Sequence, residues 1–212
     1  MEIEDEKRLV AEAAAALVEP GVTIGLGTGT TIAYFLPALA ARSLDVRCVA
    51  TSEKTERAAR DLGLSVEPFE TLERLDFAVD GVDQVAPDCW LVKGGGGAHA
   101  REKIVAAAAD RFIVIASSDK LAERLSPPVP LELMAFGLRA TINALGEVEL
   151  RDAPRTPDGG VIADYLGSID DPATLAELLN GVPGVVAHGL FPPTLVSEVL
   201  VARGDRVERI TP

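Results

Sequence analysis

The chain has 212 residues, of which 48% are hydrophobic and 4% aromatic, and its formal net charge is −13 at pH 7. This length supplies one large or two small domains, and the negative charge argues against non-specific binding to nucleic acid because it repels phosphate backbones. No apolar run approaches the ~18 residues of a membrane span, and the acidic start MEIEDEKR is unlike a signal peptide, so we expect a cytoplasmic protein that does not bind membranes.

The first part of the chain alternates between helical and strand-like patterns. The predicted helices are 6–18, Thr31–Arg42, Glu53–Leu62 and Ala98–Ala109, and the predicted strands are Thr23–Gly27, Val46–Ala50, Phe77–Val79, Trp90–Val92 and Phe112–Ala116. This alternation indicates an α/β fold with a mostly parallel sheet and helices on both faces. Ligands bind such sheets outside the carboxyl ends of the strands.

A different pattern begins after the proline-rich stretch Ser126–Pro130. Its order is strand, helix, strand, strand, helix, strand, which is the order of a ferredoxin-like α+β unit. The predicted elements are Leu131–Ala135, Gly137–Leu145, Val148–Arg151, Gly160–Tyr165, Pro172–Leu179 and Val185–Leu190. We therefore expect a smaller domain over residues 128–193.

Two strand-like runs, Val196–Val201 and Val207–Ile210, follow the pair Pro192-Pro193. They are predicted to form a hairpin that returns to the first sheet. Residues 1–127 and 194–212 would then form an α/β catalytic domain.

The first chemical motif is the sequence GLGTGTT at residues 25–31, between a predicted strand and a predicted helix. The backbone amides of such a loop point towards an anion, and the helix amino terminus and threonine hydroxyls add to the attraction. The motif lacks the Gly-Lys-Ser/Thr of a P-loop and the third glycine of a dinucleotide fingerprint. It is either a phosphate site or a tight turn that a threonine caps.

The second motif is the segment Asp80–Lys103, which contains Asp80, Asp83, Lys93 and Glu102 around four consecutive glycines. One carboxylate can move a proton between neighbouring carbons, a second can handle protons on oxygen, and the ammonium can stabilise the negative charge that develops. Separately, these residues are turn formers, a surface lysine and a helix-start glutamate. The glycine run Gly94–Gly97 indicates close approach of backbone to a ligand and favours an active site.

These motifs resemble the type A ribose-5-phosphate isomerases over nearly the whole chain. The matching stretches are GLGTGTT at 25–31, Thr51-Ser52 with Thr55, VDGVDQV at 79–85, VKGGGGAHAREKIVA at 92–106, SSDKL at 117–121, PLEL at 130–133 and PGVVAHGLF at 183–191. The stretch with four glycines followed by Arg-Glu-Lys is the most specific. The resemblance implies interconversion of ribose 5-phosphate and ribulose 5-phosphate through an enediolate, in the pentose phosphate pathway.

The resemblance also implies roles for particular residues. Glu102 would be the base that moves a proton between C1 and C2, Asp80 would act in ring opening and on oxygen, Asp83 would line the reacting end, and Lys93 would stabilise the enediolate. The substrate, including its phosphate, would be held by Thr28, Gly29, Thr30, Thr31, Lys7, Gly94, Gly95, Gly96 and Lys120. The implied assembly is a homodimer or homotetramer, between which the sequence does not choose.

The chain departs from the family pattern at several positions. Gln84 replaces a glutamate, and His99 replaces a hydrophobic residue. His99 either approaches the substrate or is a partly exposed residue on the first turn of a helix, and we favour the second interpretation. The stretch Arg155–Gly160 lacks the family's Asp-Asn-Gly-Asn pattern, which affects the small domain more than the chemistry.

The sequence predicts no metal and no cofactor. Cys48 and Cys89 are too few for a disulfide framework, and only His99 and His188 could join them as nitrogen or sulfur ligands of a metal. Two other functions remain open: a coenzyme A transferase-like enzyme, in which Lys93 and Asp83 have no obvious role, and a sugar-phosphate sensor domain, for which the chain lacks a DNA-binding segment.

Overall fold

The computed structural model describes residues 2–212. Its helices are α1 (Ile3–Ala16), α2 (Ile32–Ala41), α3 (Glu53–Asp61), α4 (His99–Ala108), α5 (Leu138–Leu145) and α6 (Pro172–Gly181). Its strands are β1 (Thr23–Leu26), β2 (Arg47–Ala50), β3 (Ser65–Val66), β4 (Phe77–Asp80), β5 (Gln84–Val85), β6 (Leu91–Val92), β7 (Phe112–Ser117), β8 (Val129–Leu133), β9 (Val148–Leu150), β10 (Val161–Tyr165), β11 (Val185–His188), β12 (Leu190–Phe191), β13 (Glu198–Arg203) and β14 (Arg206–Ile210).

Seven strands form the main sheet, in the order β14-β13-β7-β4-β1-β2-β3. All neighbours are parallel except β13 and β14, which form an antiparallel hairpin. The predicted return of the last hairpin is confirmed, because β13 pairs with β7 and the hairpin thereby adds two strands to one edge of this sheet. The α/β fold with a mostly parallel sheet is likewise confirmed.

Helices cover both faces of the main sheet because the side chains of its strands alternate. On β1, Ile24 and Leu26 belong to the core that includes residues of α1 and α2. Gly25, between them, faces Val105 of α4 on the other side, where a Cβ atom at residue 25 would lie 2.3 Å from a methyl carbon of Val105. Both faces are therefore buried, and the central strands β1, β4 and β7 are short, mostly apolar runs without polar alternation.

A second sheet, built from residues 129–188, has four antiparallel strands in the order β11-β8-β10-β9. Together with α5 and α6, this gives the predicted ferredoxin-like order of elements. Its core includes Leu131 and Leu133 of β8 and Leu175 and Leu179 of α6.

The segment Trp90–Val92, predicted as a further strand of the alternating series, lies outside the main sheet. Its residues 91–92 form β6, the centre of a three-stranded antiparallel sheet with β5 and β12. Leu91 packs with a core cluster of the main sheet, whereas Val92 packs with that of the four-stranded sheet. The small sheet therefore lies between these two cores, and Lys93 follows directly after β6.

The helices are short. No helix among residues 2–212 is long and apolar enough to cross a membrane.

Candidate active site

The loop between β1 and α2 contains the glycine-threonine motif at the carboxyl end of the sheet. The hydroxyl of Thr28 lies 2.8 Å from that of Thr51 and 2.8 Å from that of Ser52. The hydroxyl of Thr55 donates to the carbonyl of Gly27 at 2.9 Å. The loop is therefore fixed by the segment that follows β2, and its backbone lies at the amino terminus of α2, which favours anions.

Gly27 is required by the close approach of a carboxylate. A Cβ atom at this position would lie 1.9 Å from Oδ1 of Asp80, far inside van der Waals contact. Asp80 is the last residue of β4, and its Oδ1 accepts hydrogen bonds from the amides of Thr28 at 3.0 Å and Gly81 at 2.7 Å. The missing side chain of residue 27 thus allows Asp80 to lie directly against the loop.

Lys93 lies between two carboxylates. Its Nζ is 3.0 Å from Oδ2 of Asp80 and 3.2 Å from Oε2 of Glu102, and it also donates to the carbonyl of Gly81. The side chains of all three charged residues are at most 4% exposed. The contact between Lys93 and Glu102 lacks hydrogen-bond geometry, so Oε2 of Glu102 has no hydrogen-bond partner within residues 2–212.

Burial determines the protonation behaviour of this cluster. Burial, reinforced by the charge of Asp80 and opposed by Lys93, raises the pKa of Glu102 to about 8. Burial also raises the pKa of Asp80, although Lys93 and the two amide donors oppose the shift. Burial alone lowers the pKa of Lys93, but the two carboxylates outweigh it and hold this pKa above its ordinary value. Glu102 is therefore a carboxylate that can take up a proton near neutral pH.

Asp83 holds the glycine loop that follows β6. Its Oδ2 accepts a hydrogen bond from the amide of Gly95 at 2.7 Å. Gly94 has a φ of +101°, and a Cβ atom there would lie 2.6 Å from that of His99. The turn at residue 94 thus requires glycine both for its conformation and for its contact with the first turn of α4.

One cleft brings together most of the predicted site residues. It is lined by Thr28, Gly29, Thr30, Thr31, Asp83, Lys93, Gly94, Gly95, Gly96, Glu102 and Lys120, together with Gly81 and Val82. Asp80 lies directly behind this lining, against Lys93. The segments that supply these residues are distant in sequence but meet at one edge of the main sheet.

The two lysines predicted to bind the phosphate, Lys7 and Lys120, differ in their position relative to the cleft. Lys120 lines the cleft, and its Nζ is 3.1 Å from a carboxylate oxygen of Asp119. Lys7 lies on α1 outside the lining, and its Nζ pairs with Glu4 at 2.7 Å. Glu6 accepts hydrogen bonds from the amide and hydroxyl of Ser118, so α1 adjoins the turn that carries Lys120.

The expectation that His99 is partly exposed is wrong. His99 is 0% exposed, because the strand β11 of the small domain packs on α4. Neither ring nitrogen has a hydrogen-bond partner within residues 2–212, and burial lowers the pKa of His99 to about 4. Sequence reasoning missed this burial because the covering strand is almost 90 residues away in the chain.

Lys103 and His188 complete a buried group of bases beside the cleft, which the sequence analysis did not identify. The Nζ of Lys103 donates to the carbonyl of His188 at 2.7 Å and lies 5.0 Å from the ring centroid of Phe191. Burial lowers the pKa of Lys103 to about 7 and that of His188 to about 3. The side chains of the adjacent residues Glu102 and Lys103 thus lie in different environments. In the sequence, the Arg-Glu-Lys motif was the signal that could have drawn attention to Lys103.

Gln84, the other departure from the family pattern, has a structural use for its amide. Its Nε2 donates to the carbonyl of Ser126 at 2.8 Å, and its Oε1 accepts from the amide of Ser126 at 2.8 Å. A glutamate could accept but not donate in this pair. Gln84 therefore fastens the Ser126 loop rather than entering the cleft.

Comparisons with known proteins agree with this geometry. The family model for ribose 5-phosphate isomerase A (phosphoriboisomerase A) matches residues 47–206. Ribose-5-phosphate isomerase A of Caulobacter sp. (strain K31) is 42% identical, and the match covers 100% of both chains. The chain therefore belongs to the ribose 5-phosphate isomerase A family.

Solved structures of this family are also similar. Ribose 5-phosphate isomerase A from Methanocaldococcus jannaschii is 34% identical with a TM-score of 0.94, and the match covers 100% of both chains. A D-ribose-5-phosphate isomerase in complex with phospho-erythronic acid is 32% identical with a TM-score of 0.94, again over 100% of both chains.

Proposed function

We propose that this protein interconverts ribose 5-phosphate and ribulose 5-phosphate through an enediolate, with Glu102 as the base and without a metal ion. The observation that carries the proposal is the buried group in which Lys93 lies 3.0 Å from Asp80 and 3.2 Å from Glu102 at the wall of a cleft. Family membership supplies the substrate.

The carboxylate of Glu102 removes the proton from C2 of the open-chain aldose and returns it to C1 of the ketose. Its burial raises the pKa to about 8, which makes the ionised form a stronger base than an exposed carboxylate. Its Oε2 lies 3.2 Å from the Nζ of Lys93 but makes no hydrogen bond within residues 2–212, so the base lies beside the cation that stabilises the developing charge.

The ammonium of Lys93 stabilises the negative charge that develops on the enediolate oxygens. A preorganised cation in a buried site needs no reorganisation as the charge forms. Asp80 contacts both Lys93 and the phosphate-binding loop, and we assign to it proton transfer on oxygen and ring opening. Asp83, which lines the cleft, orients the reacting end of the substrate.

The phosphate is held at the other end of the cleft by the loop Thr28–Thr31 and Lys120. Lys7 adjoins this end through α1, and a rotation of its side chain away from Glu4 would let it contribute. A phosphorylated sugar acid, such as the phospho-erythronic acid bound to the related isomerase, carries a phosphate and a carboxylate. An enediolate of a sugar phosphate likewise carries a phosphate and, at its reacting carbons, a negatively charged oxygen.

The wider setting of the reaction is part of the proposal. We assign the catalytic domain to residues 1–127 and 194–212 and the small domain to residues 128–193. We further propose that the protein acts in the cytoplasm as a homo-oligomer in the pentose phosphate pathway. Sedimentation of the purified protein tests the assembly, and a monomer at working concentration would contradict it.

Conversion of ribose 5-phosphate by the purified protein in excess EDTA, beside the variant Glu102→Gln, tests the function. We expect robust turnover by the unmodified protein and a loss of about 10²–10⁴-fold in kcat in the variant, the usual value of a positioned general base. Near-normal turnover in the variant would refute the assignment of Glu102. Binding of ribose 5-phosphate without turnover by the unmodified protein would favour a sensor.

A further inference from the structure

Arg151 of the small domain contacts the glycine loop of the candidate active site. Its side chain forms a bidentate pair with Asp164, from Nε to Oδ2 at 2.7 Å and from Nη2 to Oδ1 at 2.6 Å. The remaining nitrogen, Nη1, donates to the carbonyls of Gly94 at 3.1 Å and Gly95 at 2.9 Å. The guanidinium is thus fixed on one side and holds the glycine loop on the other.

The peptide group between Gly94 and Gly95 is held at both ends. Its carbonyl accepts from Arg151, and its amide donates to Oδ2 of Asp83 at 2.7 Å. A hydrogen bond at one end of a peptide group polarises the group and strengthens the bond at the other end. The same carbonyl also accepts from the amide of Gly97 at 2.9 Å. Glycine offers no side chain to restrain this turn, so its orientation depends on these hydrogen bonds, of which Arg151 supplies the one from outside the loop.

The backbone of Arg151 is itself anchored in the small domain. Its amide donates to the carbonyl of Ile162 at 3.0 Å, at the end of the β9–β10 pair. Its side chain is 22% exposed and that of Asp164 is 18% exposed, which limits the screening of the pair by water. A rigid element, and not a mobile surface side chain, therefore presents the guanidinium to the loop.

We propose that Arg151 is a positioning residue, which acts through the Gly94–Gly95 peptide to set the orientation of Asp83 at the reacting end. This inference rests on the proposed isomerase function only where it predicts an effect on kcat; the positioning of the loop by Arg151 does not depend on that function. Arg151 lines not the cleft that contains Lys93 and Glu102 but the adjoining cavity, which shares Gly95 and Gly96 with it, so the small domain acts on the cleft through the glycine loop.

Steady-state kinetics of Arg151→Ala, with Arg155→Ala as the matched control, tests the kinetic consequence. Arg155 lies in the same segment, but its side chain bonds only to the carbonyl of Gly159, at 3.3 Å. Misplacement of a catalytic group by about 1 Å can cost 10²-fold in rate. We expect Arg151→Ala to lose about 10–100-fold in kcat with less than about 3-fold change in KM, and Arg155→Ala to resemble the unmodified protein.

A double-mutant cycle separates positioning from general destabilisation. If Arg151 acts through Asp83, the loss from Arg151→Ala should largely vanish in an Asp83→Ala background. Equal losses in both backgrounds, or unchanged kcat in a folded Arg151→Ala, would overturn the proposal. Arg151→Lys serves if the alanine variant unfolds; lysine keeps the charge, but its three donors cannot replace the four hydrogen bonds that the guanidinium makes to Asp164 and the loop, so wild-type kcat there would also overturn it.

Hydrogen exchange of the segment 92–98 provides a readout that does not depend on turnover. We expect faster exchange at residue 95 in Arg151→Ala than in Arg155→Ala, because the amide of Gly95 loses its fixed orientation towards Asp83. Unchanged exchange would overturn the inference even if the kinetics fell. A protein without isomerase activity would refute the proposed function, while this measurement would still decide the role of Arg151.

Discussion

Asp80 and Glu102 compete for a single buried cation, and this competition explains how two neighbouring carboxylates acquire different roles. Both lie near the Nζ of Lys93, but only Asp80 also accepts two backbone amides. Hydrogen bonds to a charged carboxylate favour its ionised form. The two amides therefore favour the ionised form of Asp80, a stabilisation that Glu102, the residue that must exchange protons with carbon, does not receive from them.

The pH dependence of catalysis should reveal this arrangement. Because Glu102 acts in its ionised form and its pKa is raised to about 8, kcat/KM should rise with pH and level off above about 8. The charge of Asp80 contributes to this shift, so Asp80→Asn should move the rising limb to lower pH while reducing the maximum rate. A pH profile of kcat/KM for both proteins checks this, and an unmoved limb in Asp80→Asn would contradict the coupling.

Individual residues of the site were largely predictable from sequence, whereas their surroundings were not. Asp80, Lys93 and Glu102 stand out because acid and base cluster around a glycine run and because the motif resembles a known family. The burial of His99 follows from β11, which the chain reaches only almost 90 residues later. The amide pair of Gln84 with Ser126 likewise joins segments about 40 residues apart, and no local pattern indicates it.

At the scale of elements, the site depends on how closely β1 and β4 approach at their carboxyl ends. The variant Gly27→Ala adds a single methyl group that would lie 1.9 Å from Oδ1 of Asp80. We expect Asp80 to be displaced and kcat to fall by about 10²-fold or more, although no ionisable group has been changed. Steady-state kinetics checks this, and Gly181→Ala, with no atom within 4 Å of the added Cβ, is the control. Normal kcat in Gly27→Ala would show that the contact is not needed.

The loop before α2 and the turn that carries Lys120 should contribute mainly to binding. We expect Thr31→Ala and Lys120→Ala to raise KM more than they lower kcat, because the phosphate is bound alike in the ground and transition states. The exposed Lys54 of α3 provides the charge-matched control Lys54→Ala, for which KM should stay unchanged. Equal affinity for ribose and ribose 5-phosphate would contradict the assignment of a phosphate site.

The succession of helices and strands was predictable because each is a local pattern, but short paired segments were not. The strands β5, β6 and β12 have two residues each; β5 pairs with β6 across a short turn, whereas β12 pairs with β6 across about 100 residues of sequence. Two residues carry no periodicity, so Trp90–Val92 was predicted to continue the alternating series. The position of Lys93 depends on this small sheet, and only the folded chain defines it.

At the scale of the whole molecule, α4 and β11 meet around basic side chains. The buried His99 and the half-buried Lys103 of α4 lie beside the buried His188 of β11. The cations Lys103, Arg151 and Lys93 act with burial to lower the pKa of His99, and the backbone of Ala187 opposes this shift without outweighing it. Protonation of His99 should therefore weaken this junction.

Acid should weaken the fold through this junction. The pKa of His99 is about 4 in the native state, below the ordinary histidine value of 6.5, so between these pH values the unfolded chain binds a proton that the native chain does not. The free energy of unfolding should fall as pH falls from 6.5 to 4, by up to ~1.4 kcal/mol per pH unit for this residue. Urea unfolding at pH 7.5 and 5 checks this: His99→Leu should lose less stability between the two than the unmodified protein, since His188 titrates in both. An equal loss in the variant would mean that His99 is not the sensitive group.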